Sequence, residues 1–268
     1  MNALARSSYA IKAVGLAAPG LAGWAASMPV LSGAAPYVFS AETPYAPTLL
    51  PPNERRRATA AVRQAFRAAE DAIGGAGGAR DLASVFASSD ADMAVLHRIC
   101  AALAQEPRII SPTDFHNSVH NAASGYWSIA VQSMAVTTTL SAYDASFTAG
   151  LIEAAALARD RAGDVLLVAY DASAPPPLSV KRPLALSAGV ALILGPADGA
   201  NAAPFGRIAL ELASGGESQC ALPALEGLRS GNPALRALPL LELMAARRAA
   251  SVTLRASGAL HVTVRWTP

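Results

Sequence analysis

The residues of this 268-residue chain that could do chemistry gather in Ser111–Gly150. His116 and His120 stand four apart. On a helix that spacing turns both imidazoles to one side, where they could share a metal ion. No Glu follows His116 and no third ligand stands nearby, so no metal is expected. The expected use is packing beside the turn that follows. Ser146 opens a small-residue segment. Its hydroxyl could take an acyl group only with a base beside it, and the sequence places none there. Asp144, at the same junction, suits a helix N-cap better than catalysis. The two cysteines lie elsewhere, with none between Ile110 and Glu153. Cys100 shares an apolar helical spacing with Met93, Leu96 and Leu103 and is expected to be buried. Cys220 stands before Ala221-Leu222-Pro223 with no evident base.

The elements that must position these groups alternate in type. Tyr9–Leu16 reads as a strand, Trp24–Met28 as a short helix, and Pro36–Pro52 as an extended connection. Val62, Phe66, Ala69 and Ile73 recur at helical spacing, with Arg63, Arg67 and Glu70 on the other face. Gly74–Gly78 ends that helix. It lacks the Lys and the strand-loop-helix context of a phosphate loop, and no cofactor is expected. Ala83–Ser88 is a strand, and Asp90 or Asp92 caps the next helix. Ser111-Pro112-Thr113-Asp114 starts another, with Pro at the first helical position. Met134–Leu140 is β-rich, with three Thr in a row. Ser146–Ala158 is helical through Phe147, Leu151, Ala154 and Ala158. Val165–Tyr170, Ala188–Leu194 and Ile208–Leu212 are strands, and Leu235–Arg248 is a helix. Ser251–Arg255 and Ala259–Trp266 form a hairpin around Ala256-Ser257-Gly258. Such alternation predicts an α/β layered fold.

The run His120-Asn121-Ala122-Ala123-Ser124-Gly125-Tyr126-Trp127-Ser128-Ile129 is similar to a helix signature of β-ketoacyl synthases. LLPPNERRRATAAVRQAFRAAEDA, VFASSDADMAVLHRICAAL, DVLLVAYDA and AGVALILGP resemble other elements of that family. They most resemble its short members, the chain-length factors of aryl-polyene or xanthomonadin-type clusters. The resemblance implies a thiolase-like fold of αβαβα layers in one domain over residues 1–268. Its first half, residues 9–213, would be complete, and its second half would shrink to a helix and hairpin over 214–268. In the family the strand matching Met134–Leu140 leads to a reactive Cys at the head of a helix. Here Asp144 or Ser146 falls at that place, depending on register. The family's two downstream His motifs are missing too, since only His261 follows His120.

A catalytically inactive chain-length factor is therefore implied, working in polyketide biosynthesis. Its partners would be a catalytic β-ketoacyl synthase, in a heterodimer, and an acyl carrier protein. Met134, Val136, Thr137, Thr138, Thr139 and Leu140 would pair with the partner's strand. His116, His120, Tyr143 and Phe147 would line the acyl tunnel. The alternative is a stand-alone acyltransferase or thioesterase using Ser146, or another Ser, with His116 or His120.

Composition agrees with a partnered protein. Apolar residues make up 53% and charged ones 15%, which leaves apolar surface for a partner to cover. A net charge of +2 gives no electrostatic case for nucleic acid or anionic lipid. Ala13–Ala41 carries no charge, yet Pro19, Pro29 and Pro36 interrupt it, so no membrane span is expected. Two cysteines make no disulfide framework, and a reduced, cytoplasmic protein is expected. Arg55-Arg56-Arg57 could meet an acidic carrier protein, although a solvated helix start is the commoner use.

Overall fold

The computed structural model describes residues 8–74, 78–197 and 203–268. Among them nine strands form one sheet: β1 (Ser8–Ala18), β2 (Leu21–Ala22), β3 (Ala83–Ala87), β4 (Thr137–Leu140), β5 (Val165–Asp171), β6 (Ala188–Pro196), β7 (Arg207–Ala213), β8 (Ala250–Ser257) and β9 (Leu260–Thr267). The order is β4-β3-β5-β6-β1-β7-β9-β8, with β2 paired to β1. β3 runs parallel to β4 and β5, while β6 is antiparallel to both β5 and β1. The helices are α1 (Trp24–Leu31), α2 (Pro52–Arg57), α3 (Ala60–Ile73), α4 (Met93–Leu103), α5 (Pro112–Asn117), α6 (Ala122–Val131), α7 (Ser146–Arg161), α8 (Leu178–Lys181), α9 (Pro223–Gly231) and α10 (Leu238–Ala245).

Strand side chains alternate between two cores, as pleating requires. Phe86, Leu166, Val168 and Tyr170 point to the face covered by α3 and α6, where they meet Phe66 and Trp127. Val85, Val165, Leu167, Val190 and Leu192 point to the other face, against Phe147, Leu151 and Ala154 of α7. Helix α3 lies very close to the sheet because glycine lets it. A Cβ on Gly15 would fall 2.0 Å from the Ala68 carbonyl oxygen. Helix α7 is itself sandwiched, packing on β3 and β5 and also on β8. The layers are therefore α3 with α6, the sheet, and α7, with the β8–β9 end of the same sheet also reaching α7. The hairpin buries Val252, Leu254, Val262 and Val264 on its inner face. Its outer face, with Arg255 and Arg265, meets no helix layer among the described residues. This layering is that of the thiolase-like α/β fold expected from the sequence.

Several sequence expectations need correction. His116 and His120 do not share a helix: α5 ends at Asn117, and His120 sits in the turn before α6. The turn forms because Ser118 Oγ donates to the Phe115 carbonyl, and Asn117 Nδ2 donates to the carbonyls of Arg57 and Thr113. Helix α4 buries only Val95, so Leu96, Cys100 and Leu103 are exposed rather than packed inward. Leu235–Arg248 splits into a 3-10 turn, Pro233–Ala237, followed by α10. Pro239 in the first turn of α10 explains the restart. The β-rich stretch from Met134 pairs only over Thr137–Leu140. The cap of α4 is Asp92, and α3 ends at Gly74 in the left-handed region. The remainder of that glycine-rich stretch, residues 75–77, lies outside the described residues. Among those described, no helix is long and apolar enough to cross a membrane.

Candidate functional site

Strands β3 and β4 end side by side, with Ala87 opposite Leu140. The turns that follow them, Ser88–Asp92 and Ser141–Ala145, form one shelf at the head of α7. Tyr143 is the bend of the second turn, with φ of 54°. A bulky residue there is strained and must be held by its surroundings. Ser146 does the holding. Its hydroxyl donates to the Tyr143 carbonyl at 2.7 Å and accepts the Ala142 N–H at 3.0 Å. Ser146 is buried and spent on the turn, with no imidazole in hydrogen-bond contact. Asp144 points to arginine and leaves the helix uncapped: its Oδ1 accepts from Arg182 Nη1 at 2.7 Å. Of the turn's larger side chains, Tyr143 remains 58% exposed, and its ring centroid lies 3.7 Å from the Arg182 guanidinium carbon.

Arg182 lies in the β5–β6 connection and is itself buried. Its Nε donates to Asp90 Oδ2 at 2.7 Å, which ties the first turn to the second. Burial alone would depress its ionisation, but its hydrogen bonds to Asp90 and Asp144 outweigh that and raise its pKa. The charges continue as a ladder. Arg236 lies 3.9 Å from Asp144 and 3.6 Å from Glu217, and Arg229 bridges Glu217 at 2.9 Å and Glu226 at 2.6 Å. Every cation on the shelf already faces carboxylates, which leaves poor provision for a substrate carboxylate.

Below the shelf, Asp171 ends β5 fully inside the protein. Burial pushes its pKa up to about 7, against hydrogen bonds from Ser89 and Ser88 that pull it down. The folded state thus holds a proton that the unfolded chain releases near pH 4. This contribution to stability is complete below pH 4 and is lost as pH rises towards 7. We expect Asp171→Asn to remove a loss of about 2–3 kcal/mol between pH 5 and pH 8, from about 1.4 kcal/mol per pH unit over the roughly two units up to the folded pKa. Urea titrations of both proteins at pH 5 and pH 8 measure it. Parallel pH profiles would show that Asp171 is charged when folded.

The other sequence candidates are dispersed. His120 Nε2 lies 3.2 Å from Ser141 Oγ, while Ser141 gives its proton to the Ser88 carbonyl. His120 is then the donor in that contact and not a base towards Ser141. His116 is exposed and meets Tyr126 edge-on, ring centroids 5.8 Å apart. Phe147, expected beside a tunnel, is fully buried against the sheet. Burial and the nearby Glu242 and Glu226 raise the pKa of Cys220, so it stays a thiol. Arg55 is spent on the Thr48 and Leu50 carbonyls, and Arg57 pairs with Glu54 at 3.5 Å. Sequence reasoning missed Arg182 and Arg236 altogether. The only available signal was Asp144 at a strand-to-helix junction, an acid that needs a partner.

The strand leading into the turn is also the sheet's edge. β4 pairs with β3 alone. The edge at β8 is closed instead, since Ser218 exchanges hydrogen bonds with the Thr253 main chain. Beside β4, Met134 is 99% exposed, and Ile129 and Val136 are exposed too. An open, uncharged edge flanked by apolar side chains is a pairing surface.

A strand-turn-helix shelf on a sheet of this order defines a ketosynthase-like protein. Residues 32–222, well over half of the chain, match the β-ketoacyl synthase N-terminal domain, and the chain belongs to that family. No curated protein matches it by sequence. The fold is similar to solved structures. One is the ketosynthase ApeO in complex with its chain length factor ApeC from Xenorhabdus doucetiae, at 22% identity and TM-score 0.72, covering 98% of this chain and 100% of that one. The ishigamide ketosynthase/chain length factor matches at 14% identity and TM-score 0.72, with the same coverage. The AntDE:AntF complex, a type II polyketide synthase acyl-carrier protein with its ketosynthase bound to the hexaketide, matches at 10% and TM-score 0.74, covering 98% and 99%.

Proposed function

We propose that this chain is a catalytically inactive chain-length factor that pairs with an active β-ketoacyl synthase in aryl-polyene-type polyketide biosynthesis. The observation that carries the reading is the β4–α7 turn. It offers no thiol, its buried Ser146 is committed to the backbone, and Asp144 is committed to Arg182. Condensation needs a nucleophile that takes an acyl chain and then releases it. The partner would supply that cysteine and the histidines that decarboxylate the malonyl unit. Strand β4 would continue antiparallel into the partner's matching strand, with Met134 and Val136 covered beside it. The family's obligate pairing would bury more than about 2,000 Å². Tyr143 would face the acyl chain, and an acyl carrier protein would deliver units to the complex in the cytoplasm.

The test is co-expression with a ketosynthase from the same gene neighbourhood, a tag on this chain alone, and the mass of what elutes. A one-to-one complex is expected. A second reading, an independent acyltransferase or thioesterase, starts from His120 lying beside Ser141 and requires the imidazole to turn from donor to base there. It predicts acyl-thioester turnover by the isolated chain that Ser141→Ala abolishes.

A further inference from the structure

Arg182 is 8% exposed, and its guanidinium is clamped at two corners. Asp90 holds Nε from the turn after β3, and Asp144 holds Nη1 from the turn after β4, both at 2.7 Å. Nη2 is buried with no oxygen partner. The guanidinium carbon lies over the Tyr143 ring, 3.7 Å from its centre. A planar cation held by two carboxylates cannot tilt, so it offers the ring a rigid seat. The backbone adds to this, because the left-handed conformation at Tyr143 fixes where the side chain leaves the turn. The result is an aromatic plate anchored on one face and open on the other. An exposed tyrosine would otherwise sample several rotamers, each placing the ring at a different height above the turn.

We propose that Arg182 is a positioning residue for chain length: by seating Tyr143 it fixes the plane at which a growing, flat, conjugated acyl chain must stop. This rests on the chain-length-factor reading. The ligand class follows from the plate itself. An open aromatic face favours stacking with a planar π-system, and the shelf's charges are already paired, so an ionic chain end gains nothing there. A lysine at 182 would keep the charge but could not bridge two carboxylates and present a flat face together.

The experiment measures product lengths by mass spectrometry in the reconstituted complex with the ketosynthase, alongside total malonyl consumption. Tyr143→Ala is expected to lengthen products by one or more extensions. Arg182→Lys is expected to spread the distribution to both sides of the wild-type length, with malonyl consumption within twofold. Tyr143→Phe, which keeps the ring, should leave the distribution unchanged. A second readout compares the isolated chain with and without Tyr143→Trp: the emission added above that of Trp24, Trp127 and Trp266 should lose anisotropy when Arg182→Lys is introduced. An active complex whose product lengths ignore both Tyr143→Ala and Arg182→Lys overturns the inference alone. A wild-type complex that forms but consumes no malonyl units overturns the chain-length-factor reading, and this inference with it.

Discussion

Replacing Thr137 with proline is expected to weaken assembly with the ketosynthase about 100-fold, whereas Thr137→Ser should leave it intact. The reason lies in the β3–β4 ladder. Ser84 N–H donates to the Val136 carbonyl and Ser88 N–H to the Leu140 carbonyl. Peptide groups alternate along a strand, so Val136, Thr138 and Leu140 turn their main chain towards β3. Thr137 and Thr139 turn theirs to the open edge. Proline at 137 removes one outward donor and puts a ring in its place, without touching the internal ladder. Serine keeps that donor and a hydroxyl to accept the 2.9 Å bond from Ser84 Oγ. A hundredfold change is about 2.7 kcal/mol, within reach of one buried main-chain bond left unmade plus the packing around it. Titration followed by native mass spectrometry reads it. Equal assembly by Thr137→Pro would place the interface elsewhere.

Phe147→Ala should cost about 3–5 kcal/mol of stability, the usual range for emptying a core phenylalanine site. The ring is 0% exposed in the cluster that joins α7 to the sheet, one residue inside the helix that supports the turn. Product length should not change in whatever fraction stays folded, because the side chain does not reach the shelf's surface. Chemical denaturation and product analysis of the same preparation check both parts. Unchanged stability with longer products would return Phe147 to a tunnel wall. The neighbouring pair therefore separates cleanly: Tyr143 is open and Phe147 is core, although sequence treated them alike.

That pair shows how much was legible. Apolar runs such as Val165–Tyr170 and the spacing Val62, Phe66, Ala69 and Ile73 gave strands and helices in their places, because burial on a sheet leaves a period in the sequence. The hairpin around Gly258 and the Ser111-Pro112 helix start were readable from turn and cap chemistry. Three things were not. The ion ladder joins Asp90, Asp144, Arg182 and Arg236 across 146 positions of chain, and pairing at such separation leaves no local pattern. Exposure of Leu96, Cys100 and Leu103 inverts the normal rule, since an apolar stripe does not say whether it meets its own core or another surface. The bend at Tyr143 needs a left-handed residue, and neither Gly nor Asn marked it.

The central claim is that this chain shapes condensation without performing it. The direct measurement is malonyl-dependent condensation by the one-to-one complex carrying Asp144→Asn and Ser146→Ala on this chain. The account predicts activity close to that of the wild-type complex, and its complete loss when the ketosynthase cysteine is replaced. Activity that survives the partner's cysteine replacement, or disappears with Ser146→Ala in an intact complex, would contradict it.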